Sequence, residues 1–154
     1  MGKSFRDFAS FGKRMEYNLV GQMLMEGLDC YLPLVDDHGV DCIIKKSDGT
    51  FIEIQIKARS KTVIEGDAAL FAGILHRATP NFYFVFYAER LDTMWILSSE
   101  EFLNECVTNK SGKNAGKQSI WFNGKRRDKQ SGEVKEYCYP RFEKYIAKDF
   151  SRFH

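Results

Sequence analysis

The sequence predicts one α/β domain spanning residues 1–154, with a mixed central β-sheet flanked by helices. Three observations predict it. Apolar residues recur at helical spacing over residues 10 to 26, through Phe11, Met15, Leu19 and Met23, with Val20 and Leu24 widening the stripe. Two strand-like runs flank the turn Ser47-Asp48-Gly49. Phe82 to Tyr87 is continuously apolar, as a strand covered on both faces requires.

The elements follow in order. Gly27 is a natural stop for the first helix. Glu16 lies beside Met15 and one turn before Val20, so it borders the buried stripe. Tyr31 to Val35 reads as an edge or irregular strand, because Pro33 lacks a donor. Val40 to Lys45 and Phe51 to Ala58 form the hairpin. Thr93 to Leu97 reads as a neighbour of the central strand. Ser98 with Glu101 forms a capping box that opens a helix carrying Phe102, Leu103, Cys106 and Val107. Residues 109 to 118 form a Lys/Gly/Asn-rich loop, Ser119 to Phe122 a short strand and Asn123-Gly124 a turn. Residues 125 to 135 read as a charged, mobile excursion. Pro140 then opens a last helix with Phe142, Tyr145, Ile146 and Phe150 on one stripe.

Composition removes several function classes. No apolar run reaches the roughly eighteen residues that span a bilayer, so no membrane partner is expected. Residues 1–10 contain no apolar h-region, so the expectation is a cytoplasmic protein with reduced thiols. The four cysteines, Cys30, Cys42, Cys106 and Cys138, form no CxxC and no zinc-ligand spacing with histidine. Cys42 is expected to be a small core hydrophobe. The segment from Gly112 to Gln118 has three residues between its glycines where a phosphate loop has four. It ends in Gln where that loop needs Ser or Thr, so no nucleotide cofactor is expected. The net charge of +2 hides an asymmetry: residues 1–108 carry −5, and the basic C-terminal third, 109–154, carries +7. That pattern suits a cation-holding site beside a phosphate-holding surface.

The hairpin carries the chemistry. Side chains alternate along a strand, so Ile52, Ile54, Ile56 and Ala58 share an apolar face while Glu53, Gln55 and Lys57 share the other. A two-residue turn at Asp48-Gly49 would pair 41 with 56 and push Asp41 into the apolar face, a costly place for a charge. A three-residue loop pairs 46 with 50, and so 41 with 55. It also puts Gly49 where a left-handed conformation is needed. Turn chemistry and polarity choose the same register. Asp41, the Gln55 amide oxygen and the Ile56 carbonyl are then hard oxygen donors suited to Mg²⁺, which takes few protein ligands. Lys57 follows on the same face, where it could orient or help deprotonate a water and meet a phosphate. Glu16 could bind a water of the ion, or a second ion.

Asp41, then Glu53-Ile54-Gln55-Ile56-Lys57 after a hairpin, with Glu16 on a preceding helix, resembles the PD-(D/E)XK nuclease superfamily. The resemblance covers residues 10 to 61, and Phe82 to Leu97 would be the remaining central strands. It is nearest to the branch with archaeal Holliday-junction resolvases and modification-dependent restriction enzymes. Gly39-Val40 stands where a Pro often precedes the Asp, and Gln55 replaces the usual acid, as in some members. The resemblance implies a restriction-endonuclease-like fold and Mg²⁺-dependent hydrolysis of DNA phosphodiesters. Mn²⁺ is expected to substitute for Mg²⁺. It implies Asp41, Gln55, Ile56 and Glu16 as the metal site, with Lys57 as acid, base or electrostatic clamp, and a homodimer that cuts both strands. Arg59 and Lys61, just past Lys57, and the basic run Lys125, Arg126 and Arg127 are the expected DNA contacts. The alternative reading is a nuclease-fold module that binds DNA without cutting it, which the loss of one charge at Gln55 would favour. Asp36, Asp37 and His38 read as a solvated turn, His76 and His154 receive no role, and Trp95 and Trp121 read as core.

Overall fold

The expected register is present. Cys42 pairs with Ile54, Ile44 with Ile52 and Lys45 with Phe51. The Lys46 N–H donates to Thr50 O at 2.7 Å, and Gly49 sits at φ +86°. This is a computed structural model of the chain, and it describes residues 7–35 and 39–154. Asp36, Asp37 and His38 therefore lie outside the described residues.

The chain runs through α1 (Phe8–Met25), β1 (Asp29–Tyr31), β2 (Cys42–Lys45), β3 (Phe51–Arg59), β4 (Leu70–Ile74), β5 (Phe82–Ala88) and β6 (Thr93–Ser98). Then come α2 (Ser99–Glu105), β7 (Val107–Thr108), β8 (Gln118–Trp121), β9 (Asn123–Arg127) and β10 (Val134–Cys138). A 3-10 helix (Pro140–Tyr145), β11 (Ile146–Ala147) and a second 3-10 helix (Ser151–Phe153) close it. The main sheet has the order β1-β2-β3-β5-β6-β11. Its β3–β5 pair is parallel and its other pairs antiparallel, so the sheet is mixed.

Each face of this sheet has its own core. Ile52, Ile54, Ile56 and Val85 pack under Leu19, Val20 and Met23 of α1, joined by Phe150 and Phe153. Phe84, Phe86, Trp95 and Leu97 point the other way, against Phe71, Phe102, Ile120, Phe122 and Phe142. The second layer there is the sheet β4-β8-β7 with α2 and the first 3-10 helix. Trp95 stacks on Phe122 at 4.5 Å, and Phe84 meets Phe102 at 4.5 Å. Full burial of one such ring is worth about 1.5–3 kcal/mol. Among the described residues no helix is long and apolar enough to cross a membrane.

Several expected elements are corrected. The first helix begins at Phe8, and Leu24 is exposed outside its buried stripe. The strand expected from Tyr31 to Val35 ends at Tyr31, because Pro33 cannot continue the ladder with β2. The capping box is present, with Glu101 N–H on Ser98 Oγ and Ser98 N–H on Glu101 Oε2. Its helix stops at Glu105, however, so Val107 leaves the stripe for a strand and is exposed. Asn123-Gly124 is not a turn. Asn123 is fully buried, accepting from Ala69 N at 2.8 Å and donating to Gly66 O at 3.1 Å. A Cβ on Gly124 would strike the Tyr137 and Tyr139 rings at 2.8 Å, so Gly is there for close approach. The expected excursion 125–135 is mostly a paired hairpin, with Lys125 opposite Glu136 and Arg127 opposite Val134.

The last helix is also replaced. Phe142 and Tyr145 enter the second core, while Phe150 and Phe153 enter the first. One helical stripe cannot serve both faces of a sheet. The chain crosses the sheet edge as β11, pairing Ile146 with Trp95. Trp95 is buried as expected, but Trp121 is 47% exposed.

Candidate functional site

The ladder between β2 and β3 ends at Cys42, and there the two strands open into a fork. Asp41 N–H donates to Ile54 O at 2.8 Å. The next donor of β3, Ile56 N–H, is taken by the Asp41 carboxylate itself, through Oδ2 at 2.7 Å. Asp41 thus supplies a side-chain oxygen at a backbone position that strand pairing no longer serves. An unmade bond there would cost about 1–3 kcal/mol. This bond holds the carboxylate in the fork, alongside the stretch of β3 that presents Gln55 and Lys57.

Those two residues lie on the face opposite Ile54 and Ile56, as alternation requires, and each is half-buried. Burial pushes the Lys57 ammonium below its ordinary pKa, while the charges of Asp41 and, more weakly, Glu16 oppose the shift. Lys57, Asp41 and Glu16 therefore share one electrostatic neighbourhood. Glu16 reaches it from α1 and carries an ion pair to Lys13 at 3.0 Å. That pairing raises the Lys13 pKa, with a small contribution from Asp41. The Gln55 amide packs against Gly39, where a Cβ would sit 2.9 Å from Nε2 and where φ is +68°. Glycine suits both conditions, since a side chain there would be strained and would displace the Gln55 amide.

The oxygens that could hold a metal there are the Asp41 carboxylate, the Gln55 amide and the Ile56 carbonyl, with the Glu16 carboxylate on α1. Among the described residues no three His, Cys, Asp or Glu side chains converge. Such an oxygen-only set with few charges suits Mg²⁺ and gives little to a softer metal.

The expected DNA contacts are spread more widely. Arg59 continues the polar face of β3, opposite Ala88. It is half-buried, its Nε has no hydrogen-bond partner, and burial lowers its pKa against the pull of Asp67. Lys61 is exposed, with its backbone N–H on Glu89 Oε2. Lys125 and Arg127 both face Glu65, at 3.7 and 3.4 Å, and Arg126 lies over the Tyr137 ring. These three residues stand on the β9–β10 hairpin.

Two concavities flank the fork. One is narrow and lined by Lys13, Glu16, Tyr17, Leu32 and Asp41. The other, of about 570 Å³, is lined by Gly39, Glu53, Gln55, His76, Arg77 and Thr79. Pro33 and Val40 border both. The segment 75–79 gave no sequence signal: it has no periodicity, and its histidine has no partner nearby in the chain. A larger cleft of about 710 Å³ lies on the outer side of β4-β8-β7, away from the fork.

The β2–β3 pair of this mixed sheet thus opens where Asp41, Gln55 and Lys57 lie. Among solved structures the chain resembles a bacterial homing endonuclease, I-Ssp6803I, with a TM-score of 0.52 and 15% sequence identity. The match covers 88% of this chain and 85% of that one, and at this identity it shows a shared fold. No protein-family model and no curated protein matches the sequence.

Proposed function

We propose that this chain is a divalent-cation-dependent endonuclease that hydrolyses DNA phosphodiester bonds, a PD-(D/E)XK-type nuclease with Gln-x-Lys at its centre. The observation that carries the reading is the Asp41 carboxylate bonded to Ile56 N–H between Gln55 and Lys57. The fold shared with a homing endonuclease supports it.

Asp41, the Gln55 amide oxygen and the Ile56 carbonyl would hold Mg²⁺ or Mn²⁺, with Glu16 reaching in from α1. When bound, such an ion lowers the pKa of water and offsets charge on the phosphate. The bond from Ile56 fixes Asp41 before substrate arrives, so no reorganisation is needed at the reaction. Lys57 has two uses. Its lowered pKa enlarges the fraction of neutral amine that can accept a proton from the attacking water. Its protonated form holds a phosphate oxygen. Arg59, Lys61, Lys125, Arg126 and Arg127 are proposed to contact the DNA backbone, where charge, not sequence, sets affinity.

Lys57→Ala is expected to abolish nicking of supercoiled plasmid in Mg²⁺ while DNA binding by gel shift persists. Cleavage retained in that variant would remove the mechanism. A second reading is a DNA-binding module that does not cut. Gln55 in place of an acid, and the absence of a three-carboxylate cluster among the described residues, favour it. Binding without nicking by the wild-type protein, in both Mg²⁺ and Mn²⁺, would establish that reading instead.

A further inference from the structure

The wider concavity beside the fork has the features of a built subsite. One wall is β3, through Glu53 and Gln55, and the other is the connection between β4 and β5, through His76, Arg77 and Thr79. That connection has no regular secondary structure at residues 75–79, yet it is tied down from three directions. The Gln118 side chain accepts from His76 N at 3.1 Å and donates to His76 O at 3.0 Å, replacing a strand partner for that residue. His76 Nε2 lies 2.6 Å from Ser99 Oγ, which also accepts from Thr79 N at 3.0 Å. The imidazole packs among the rings of Phe82, Phe84 and Phe102, at 4.7, 4.9 and 5.9 Å. Burial lowers its pKa, so it serves this packing as a neutral ring.

Arg77 stands on this fixed backbone. Its own carbonyl accepts from Thr79 Oγ1 at 2.8 Å, while its guanidinium is exposed and makes no hydrogen bond or ion pair with the described residues. Arg90, Arg127, Arg141 and Arg152 each reach a carboxylate, Arg126 lies over the Tyr137 ring and Arg59 is half-buried. Arg77 has a fixed base, an unengaged head and a position in the cleft that contains Gln55.

We propose that this cleft binds the nucleotide next to the scissile phosphate, with Arg77 holding that nucleotide's own phosphate. The proposal rests on the endonuclease reading of the fork and adds where the strand lies. Both signs of charge in the cleft favour a nucleotide over a bare phosphate. Arg77 suits the phosphate, and a planar guanidinium can take two of its oxygens at once. Glu53, on the opposite wall, would repel a second anion but accepts from donors on a base or sugar. Strand alternation places Glu53 and Gln55 on one face, so base-side and phosphate-side contacts fall next to the proposed ion.

The test measures binding of mixed-sequence duplex DNA at several salt concentrations, without divalent ions, for wild type, Arg77→Ala and Arg77→Lys. A phosphate contact contributes about 0.9 to the slope of log affinity against log salt. The expected result is a slope shallower by about one in Arg77→Ala, weaker binding at low salt, an unchanged melting temperature and a slope restored in Arg77→Lys. A wild-type slope and affinity in Arg77→Ala would overturn the subsite and leave the endonuclease reading standing. Wild-type protein that neither binds nor nicks any DNA would overturn both. The Arg77 guanidinium is exposed and engages none of the described residues, so a folding defect in Arg77→Ala would contradict the arrangement on which the proposal is built.

Discussion

At Asp41, charge and hydrogen bonding can be separated by substitution. Asp41→Asn keeps an oxygen for Ile56 N–H and removes the charge, whereas Asp41→Ala also orphans a half-buried backbone donor. Both variants are expected to lose nicking, but only Asp41→Ala should lose about 1–3 kcal/mol of stability in urea unfolding. Equal stability of the two would mean that the carboxylate does not hold the fork. Much of this site was legible beforehand. The turn chemistry of Ser47-Asp48-Gly49 and the alternation of Glu53, Gln55 and Lys57 placed Asp41 beside Gln55. The detail that escaped was the end of pairing at Cys42, which turns the Asp41 carboxylate onto Ile56 N–H instead of leaving it above the sheet. Arg77 was not legible at all. An exposed arginine has no pattern until the fold sets it against Gln55, 22 residues earlier in the chain.

Among elements, the connections around the fork carry the most specific bonding. Arg90 donates to the carbonyls of Lys61, Val63 and Ile64, so it gathers the loop after β3. It is paired with Glu136 of β10, at 2.5 Å, and Glu136 is almost fully buried and also accepts from Gly66 N. Glu136→Ala leaves a partly buried guanidinium unpaired and should cost about 3 kcal/mol. Amide exchange should quicken together in residues 61–66 and in the β9–β10 hairpin; protection unchanged there would show that the pair does not join them. The segment 75–79 has a pH dependence of its own. His76 is neutral in the fold because burial lowers its pKa below 6.5. The unfolded chain takes up that proton first, so stability is complete above about pH 6.5 and falls as the pH drops below it. His76→Gln should flatten this decline by up to about 1.4 kcal/mol per pH unit, read from urea midpoints between pH 7.5 and 5. An identical pH profile in the variant would contradict a neutral His76. Sequence signals for these elements failed for identifiable reasons. Asn123-Gly124 has turn composition, but Asn123 is a buried polar anchor and Gly124 admits two tyrosine rings. The spacing from Phe142 to Phe150 is helical, but the residues divide between two cores.

For the molecule as a whole, the continuous apolar run of β5 explains the architecture. Phe82, Phe84 and Phe86 face the second layer while Val85 faces α1, so the central sheet is closed on both sides. Among the described residues, pairing along it opens at the fork of β2 and β3, and Pro33 and Val40 border the concavities on either side. The α/β class, the central strands and the first helix could be read from periodicity. The second layer β4-β8-β7 could not, because its strands are two to five residues long and carry no clear alternation. On the proposed function, the fork holds a divalent cation between Asp41, Gln55 and the Ile56 carbonyl. Anomalous diffraction from a crystal of the wild-type protein soaked in Mn²⁺ tests it most directly. A peak is expected within ligand distance, about 2.0–2.3 Å, of an Asp41 carboxylate oxygen and the Ile56 carbonyl oxygen. A fork that remains without a peak while Mn²⁺ binds elsewhere on the protein would contradict it.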